Sequence, residues 1–298
     1  MSVPKRIPYN FGRRKTRLEP VNILFEQTNT ELDLALASYS KEDERRGIVL
    51  PEKLTPKLAE EIGMHVGDGF LSMRRNEYRL KGSPFDERQF YRGFVSPLYK
   101  ELFNLDANLK DYGTSYGFEV CSKALWSFKN KVLGIQAGRK TGIRVPEVIK
   151  VNNGEILAGF IRGYFDTDGS LSFISKYGYS SYYPNINAAS ASELLIRDVA
   201  EILSMFGLRP TVDKNRDWWA VQLRGYENFF RFLELIGWNS KKYVDKINLW
   251  RSRYPELSYG ASGEVVSRGP VVLKSTESLN AEFDSRLAPY QLRNMVLR

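Results

Sequence analysis

Residues 157–170 read LAGFIRGYFDTDGS, an apolar stretch with regularly spaced glycines that ends at Asp168-Gly169. A weaker copy, LAEEIGMHVGDGF, occupies residues 58–70, and aligning Asp68 with Asp168 keeps three positions small in both copies. A spacing of four places such positions on one face of a helix, where small residues let two helix backbones approach closely. The sequence therefore predicts that helices 58–68 and 157–168 pack side by side. The paired positions are Ala59/Gly159, Gly63/Gly163 and Gly67/Thr167.

Two aspartates are expected to meet where these helices end. Asp68 and Asp168 each precede a glycine, for which we expect the left-handed conformation of a helix cap. A carboxylate at a helix C-terminus opposes the macrodipole at a cost of about 0.3–1 kcal/mol, and two such groups also repel each other. A divalent cation offsets both effects, and oxygen ligands suit Mg²⁺. An ordinary Asp-Gly turn is the alternative; two matched copies favour metal ligation.

These segments resemble the paired motifs of LAGLIDADG homing endonucleases, in the single-chain form that carries two motifs. The core nonapeptides are Glu61–Gly69 and Ile161–Gly169. The second has the motif's glycines and acids in place, whereas Val66 stands at the first acidic position of the first copy. The resemblance covers roughly residues 50–255.

The resemblance implies an α+β fold of two pseudo-symmetric αββαββα units whose antiparallel sheets form a DNA-binding saddle. It implies a site-specific double-strand DNA endonuclease that hydrolyses phosphodiesters with Mg²⁺ or Mn²⁺. Asp68 and Asp168 would be the catalytic metal ligands, and the carbonyls of Gly67 and Thr167 would add to them. The family's lysine or glutamine near the metals has no clean match. Glu119 and Gln222 hold the late strand positions, and the basic candidates nearby are Arg92, Lys123 and Arg224.

Composition limits the class of protein. The chain has 298 residues and a net charge of +9, which favours an acidic partner such as nucleic acid over a merely basic soluble protein. Cys121 is the only cysteine, so there is no disulfide framework and an intracellular location is expected (cytoplasm or nucleoid, or an organelle in a eukaryote). No apolar run is long enough to span a membrane, and we expect no membrane partner.

The order of predicted elements occurs twice. When Phe103 is aligned with Phe206, the alignment continues without a gap to Gly134 and Gly237. The two halves are offset by 103 residues in this region and by 100 residues in the motif helices. Such internal repetition predicts two structurally equivalent units. The first half is predicted to contain helix 96–105, strands 108–110 and 116–121, and a helix capped by Ser122 and running to Leu133. The second half is predicted to contain helix 192–206, strands 211–213 and 218–223, and helix 226–236.

We divide the chain into five segments on this basis. They are a basic N-terminal extension (1–50), a first unit (51–136), a linker (137–150), a second unit (151–255) and a C-terminal tail (256–298). The extension is expected to contain one helix near Thr30–Tyr39. Thr55 is expected to cap the first motif helix, with Pro56 at its first position.

Candidate DNA contacts lie on two hairpins. The first is predicted as strands 70–80 and 85–94 and is rich in arginine, which pairs with guanine edges and phosphates. The second, 170–190, is rich in Tyr and Asn. Because one hairpin would bind mainly by charge and the other by neutral hydrogen bonds, the expected partner is duplex DNA with a long asymmetric target. We expect a monomer to bind it. Ordinary solvent-facing strands are the alternative. The candidates are Arg74, Arg75, Arg79, Arg88, Arg92, Lys176, Tyr177, Asn185, Asn187 and Arg224.

Two other classes of protein stay open. The first is a non-cleaving nucleic-acid binder, such as an intron RNA maturase or a transcription regulator derived from this family. Such proteins often lose the acidic pair that this chain keeps, which favours the nuclease. The second is an intein, and the absence of a nucleophilic first residue and of a His-Asn terminus favours a free-standing protein.

Overall fold

The computed structural model describes residues 30–152, 154–176 and 179–255, without the side chains of 176–181. Residues 1–29 of the basic N-terminal extension and the C-terminal tail (256–298) lie outside these residues. Within them, no helix combines the length and the apolar character needed to cross a bilayer.

After a short helix, α1 (Lys41–Arg45), come the two motif helices, which form the centre of the molecule. Helix α2 (Pro56–Asp68) begins where Thr55 Oγ1 accepts a hydrogen bond from the Leu58 amide at 3.2 Å, as expected, and α7 spans Gly154–Thr167. A Cβ atom added at Gly163 would lie 1.9 Å from the carbonyl oxygen of Glu60. The small-residue stripe thus brings the two backbones into direct contact, and the predicted pairing is confirmed.

The first unit follows α2. Strands β1 (Gly69–Leu71) and β2 (Glu77–Gly82) precede helix α3 (Arg88–Phe90), which continues through a π turn at Tyr91–Val95 into α4 (Ser96–Phe103). Strands β3 (Lys110–Asp111) and β4 (Tyr116–Cys121) follow, and Ser122 caps α5 (Lys123–Ser127), which ends in a π turn at Phe128–Val132. The linker carries the short helix α6 (Glu147–Lys150).

The second unit repeats this order after α7. Its elements are β5 (Gly169–Lys176), β6 (Tyr179–Ser190), α8 (Glu193–Met205), β7 (Thr211–Asn215), β8 (Trp218–Arg224) and α9 (Tyr226–Leu235). A further helix, α10 (Lys241–Arg253), has no counterpart among the elements expected from the sequence.

Each unit contains one antiparallel four-stranded sheet. The strand orders are β1-β2-β4-β3 and β5-β6-β8-β7, so the two sheets share one topology. Tyr78 and Leu80 on β2 are buried in the helix-packed core, while Arg79 between them is exposed. The α+β class and the duplicated αββαββα order are therefore confirmed.

Three local expectations were wrong. Residues 70–80 contain both β1 and β2, joined by a turn, and the expected second strand at 85–94 is helical instead. The expected helix near Thr30–Tyr39 is a single 3₁₀ turn at Leu34–Leu36, held by Asp33. Neither Gly69, with φ −77°, nor Gly169 has the positive φ of a left-handed cap. An added Cβ would lie 2.6 Å from the carbonyl oxygen of His65 at Gly69 and 2.2 Å from that of Phe165 at Gly169, and these contacts require glycine.

Residues 30–50 pack on the first unit. The buried carboxylate of Asp43 accepts hydrogen bonds from Ser40 and from the amides of Lys123 and Ala124, both at 3.1 Å. Two amides at the start of α5, which have no acceptor within the helix, thus donate to Asp43. The described part of the N-terminal segment is anchored to this unit at that point.

Candidate metal centre and nucleic-acid faces

The two motif aspartates meet at the ends of α2 and α7. Gly159 lies beside Pro56 and Gly67 beside Thr167, so the helices run in the same direction and end at one level. A Cβ atom added at Gly67, the residue before Asp68, would lie 3.4 Å from Cγ of Asp168. The structure therefore places the two aspartates side by side between the units, close enough for the charge of Asp168 to act on Asp68.

The environment of the pair favours neutral carboxyl groups. Burial raises the pKa of Asp68 well above its usual range, and the charges of Glu87 and Asp168 raise it further. Asp168 keeps accessible surface, but the protein atoms packed around it displace water and raise its pKa to about 6. Lys140 and Lys242 oppose these shifts at both residues. The two lysines thus offset only part of the effect that disfavours the charged form of the two aspartates.

A third carboxylate, which the sequence did not single out, stands beside Asp68. Glu87 is 4% exposed, and Gly82 leaves room for it: an added Cβ there would lie 2.0 Å from Glu87 Oε2 and 2.6 Å from Asp68 Oδ2. Oε2 of Glu87 accepts from the Ser83 amide at 2.8 Å, and Oε1 pairs with Lys242 of α10. Lys242 therefore joins the second unit to the first beside the acid pair.

Lys140 lies on the opposite flank, in the linker. Its ammonium donates to the carbonyls of His65 at 3.2 Å, Val66 at 3.0 Å and Gly67. Burial lowers its pKa, and the charges of Asp168 and Asp68 oppose that effect. The carbonyl of Gly67, expected as a metal ligand, thus interacts with a cation of the chain itself.

The internal repeat contains a sequence pattern from which Lys140 and Lys242 could have been predicted. The offset of 103 that pairs Gly134 with Gly237 also pairs Arg139 with Lys242 and Lys140 with Tyr243. Tyr243 donates through its hydroxyl to the carbonyl of Gly169, so this repeated position reaches the end of the motif helix in both units. The basic candidates expected from the sequence, Arg92, Lys123 and Arg224, are not among the charged groups that shift the pKa of either aspartate.

The donor set suits a hard divalent cation. Two carboxylates and a helix-end carbonyl supply oxygen ligands, and their repulsion is what such a cation would offset. In the part of the chain that the structure describes, no three His, Cys, Asp or Glu side chains form a group that could hold a metal as they stand. Asp68 and Asp168 would therefore hold a cation together with carbonyl oxygen or solvent.

The only histidine belongs to the core of the first unit. His65 is 1% exposed and stacks on Tyr78 with ring centroids 5.1 Å apart, and burial holds its pKa well below its usual range. One turn earlier, buried Glu61 pairs with Lys129 and accepts from Tyr99. The second unit has only apolar residues at the matching positions, which are Ile161, Phe165, Ile186, Ile202 and Phe232.

The first sheet separates the candidate arginines. Arg74 and Arg75 are exposed in the turn between β1 and β2, and Arg79 projects from the sheet face opposite the core. Arg88 pairs with Asp111 and donates to the Pro84 carbonyl, and Arg92 donates to the Tyr116 hydroxyl at 3.0 Å. Tyr116 and Asp111 face away from the side that carries Arg79, because side chains alternate along a strand.

The second sheet brings its candidates together. Asn185 lies opposite Ser172 and Arg224, and Asn187 lies opposite Ser170 and Gln222, so these side chains share one face. The Oδ1 atoms of both asparagines are buried and have no hydrogen-bond partner among the described residues. Tyr177 and the side chain of Lys176 lie outside the described part of the chain. Nucleic-acid contact by any of these residues stays a prediction.

Residues of the second unit match a known family. Residues 155–237 match the family model described as LAGLIDADG-like domain. The chain is 25% identical over 220 residues to glutamine–fructose-6-phosphate aminotransferase [isomerizing] of Methanocaldococcus jannaschii, covering 71% of this chain and 19% of that protein. It is also 25% identical to the replication factor C small subunit of that organism, covering 64% of this chain and 10% of that protein. The chain thus spans a small part of these relatives.

Solved structures resemble the chain at low identity. I-DmoI in complex with DNA and Mn is 18% identical with a TM-score of 0.44, covering 61% of this chain and 96% of that chain. The N-terminal LAGLIDADG domain of DUF199/WhiA is 12% identical with a TM-score of 0.43, covering 68% of this chain and 92% of that chain. The matched domain lies in the second of the chain's two like units, and Asp168 directly follows its helix α7. Residues 155–237 of the chain therefore form a LAGLIDADG-like domain.

Proposed function

We propose that the protein is a site-specific double-strand DNA endonuclease that requires a divalent metal ion. The observation that carries this proposal is the meeting of Asp68 and Asp168 at the parallel ends of α2 and α7, between two sheets of one topology. Carboxylates whose pKa values are raised by desolvation and by neighbouring negative charge cluster at functional sites. A purely structural role would not account for placing two of them together.

The charge of the chain supports a polyanionic partner. The net charge is +9, and the exposed Arg74, Arg75 and Arg79 lie on or beside the outer side of the first sheet. On the second sheet, Arg224 lies on the same face as Asn185 and Asn187, and asparagine side chains can hydrogen-bond to base edges. Two chemically different faces suit an asymmetric target. One chain supplies both faces, so we expect it to act as a monomer.

The residues of the centre have distinct roles in this proposal. Asp68 and Asp168 would hold Mg²⁺ or Mn²⁺, which when bound supplies Lewis-acid stabilisation of a phosphate and an acidified water. Lys140 and Lys242 place two ammonium groups beside the acids, where they attract a phosphate and stabilise charge that develops on its oxygens. Tyr91 holds Asp68 through a hydrogen bond of 3.3 Å.

A selection on random duplex DNA tests the proposal. Full-length protein is used to capture duplexes in Ca²⁺, and the recovered pool is then incubated with Mg²⁺ and examined for double-strand breaks. We expect a single enriched site that is cut in Mg²⁺ and stays intact in EDTA. A parallel pool of RNA hairpins serves as the comparison.

The outcome also separates the alternative function. Selective binding of a duplex that is never cut, in Mg²⁺ or in Mn²⁺, would make the protein a non-cleaving binder. Preferential recovery of RNA would contradict the DNA target and indicate an RNA-binding role instead.

A further inference from the structure

The outer faces of the two sheets, opposite the helix-packed core, carry different chemistry at one matched position. Glu119 lies opposite Arg79 on the first sheet, and Gln222 lies opposite Asn187 on the second. The repeat offset of 103 also pairs Glu119 with Gln222. In each unit the partner of this residue lies opposite the second residue after the motif aspartate. The first unit therefore has a carboxylate where the second has an amide.

Two cations hold Glu119 in place through one of its oxygens. Nζ of Lys81 donates to Oε2 at 2.8 Å, and Nε of Arg79 lies 3.8 Å from the same atom. Among the residues that the structure describes, none donates a hydrogen bond to Oε1, and the side chain is 46% exposed. The hydrogen bond from Lys81 lowers the pKa of Glu119, so the carboxylate is ionised at neutral pH. Glu119 thus presents a charged acceptor in a fixed orientation.

An acid on this face opposes the binding of a polyanion. The carboxylate of Glu119 partly neutralises Lys81 and Arg79, and it repels phosphate. The second sheet has the same topology with the neutral Gln222 at the matched position, so this type of sheet does not require an acid there. Base edges differ from phosphates because they also offer hydrogen-bond donors. In the major groove, the N4 amino group of cytosine is the donor that glutamate and aspartate accept.

We propose that Glu119 selects cytosine in the part of the target that the first sheet contacts, by accepting a hydrogen bond from the N4 amino group through Oε1. The inference rests on the proposed function. Thymine and guanine present acceptor oxygens at the corresponding edge, which a carboxylate repels. Lys81 and Arg79 are positioning residues in this arrangement, because they keep the carboxylate in one orientation.

Selection of random duplex DNA by the full chain in Ca²⁺, followed by sequencing, tests this inference. We expect the wild-type pool to contain a cytosine that Glu119→Gln no longer requires, with at least about a tenfold loss of preference over thymine at that position. The glutamine should favour adenine there, since its amide can bind both N6 and N7. Glu101→Gln, which removes the same charge from an exposed ion pair with Lys57, is the matched control and should keep the wild-type preferences.

The possible failures can be told apart. If wild type selects a defined duplex and Glu119→Gln selects it with the same base preferences, Glu119 serves only its ion pairs on the sheet. That result overturns the inference and leaves the proposed function standing. An equal loss of preference at every position would likewise contradict readout of one base. If wild type selects no duplex at all, the proposed DNA target fails together with this inference.

Discussion

The ammonium of Lys140 lies 3.0 Å from the carbonyl oxygen of Val66, in the last turn of the helix that carries Asp68. A cation at this point interacts favourably with the helix dipole and with both aspartates. The linker, which the sequence marks only as a basic surface connection, thus supplies a charge on which the centre depends.

Replacing Lys140 by Met should destabilise the metal-free protein. The carbonyls of His65, Val66 and Gly67 would lose their shared donor and the acid pair would lose a counter-charge, at a cost of about 1–3 kcal/mol. Thermal unfolding in EDTA measures this loss, and added Mg²⁺ should raise the Tm of the variant more than that of wild type. Lys57→Met, at an exposed ion pair, is the control. An unchanged Tm in EDTA would show that Lys140 does not stabilise the metal-free protein.

Replacing Gly163 by Ala should separate the central helices. The new methyl group would lie 1.9 Å from the Glu60 carbonyl oxygen, so a backbone must move and we expect a loss of about 3 kcal/mol or more. Gly93→Ala is the matched control, because an added Cβ there has nothing within 4 Å. Urea unfolding compares the two. Equal stability of both variants would contradict close packing of α2 against α7.

The stability of the metal-free protein should depend on Asp168 between pH 4 and 7. The folded pKa is raised to about 6 from 3.8, so the folded state binds this proton more tightly than the unfolded state does. The stabilising contribution is complete below the unfolded value and is lost as the pH rises through about 6. Unfolding in EDTA across this range should show a shallower slope in Asp168→Asn than in wild type. Identical slopes would mean that Asp168 is not desolvated.

Arg79 and Arg88 should differ in their contribution to duplex binding, although both are candidates from the sequence. Arg79→Ala should weaken binding and reduce the dependence of log K on log salt by about one unit if it contacts a phosphate. Arg88 is bonded to Asp111 and Pro84 on the other side of the sheet, so Arg88→Ala should bind within about twofold of wild type. Fluorescence anisotropy at several salt concentrations measures both. The reverse order would place DNA on the opposite face.

Much of the fold could be predicted because its information is local and repeated. The glycine spacing predicted the helix pair, and strand β4 was predicted at Tyr116–Cys121 because apolar residues alternate there. The segment 85–94 misled because its aromatic residues suit either a strand or one face of a helix. The segment forms a helix because Phe90 and Tyr91 pack on one side of it against the core of the first unit.

The candidate site was predictable only in part. Asp68 and Asp168 follow from the motif, but Lys140, Lys242 and Glu87 reach the centre from a linker, from α10 and from a segment without a counterpart in the second unit. Their positions depend on contacts between distant parts of the chain, such as the pairing of Glu87 with Lys242. Only the continuation of the repeat beyond Gly134 offered a sequence signal for the two lysines.

We propose that Asp68 and Asp168 together hold the metal ion on which DNA cleavage depends. The most direct measurement is Mg²⁺-dependent cleavage of the selected duplex by Asp68→Asn, Asp168→Asn and wild type, with binding of the same duplex measured in Ca²⁺. We expect each variant to bind the duplex and to lose double-strand cleavage by at least about a hundredfold, since each removes a carboxylate ligand. Wild-type cleavage rates in both variants would show that this pair of aspartates does not hold the catalytic metal ion.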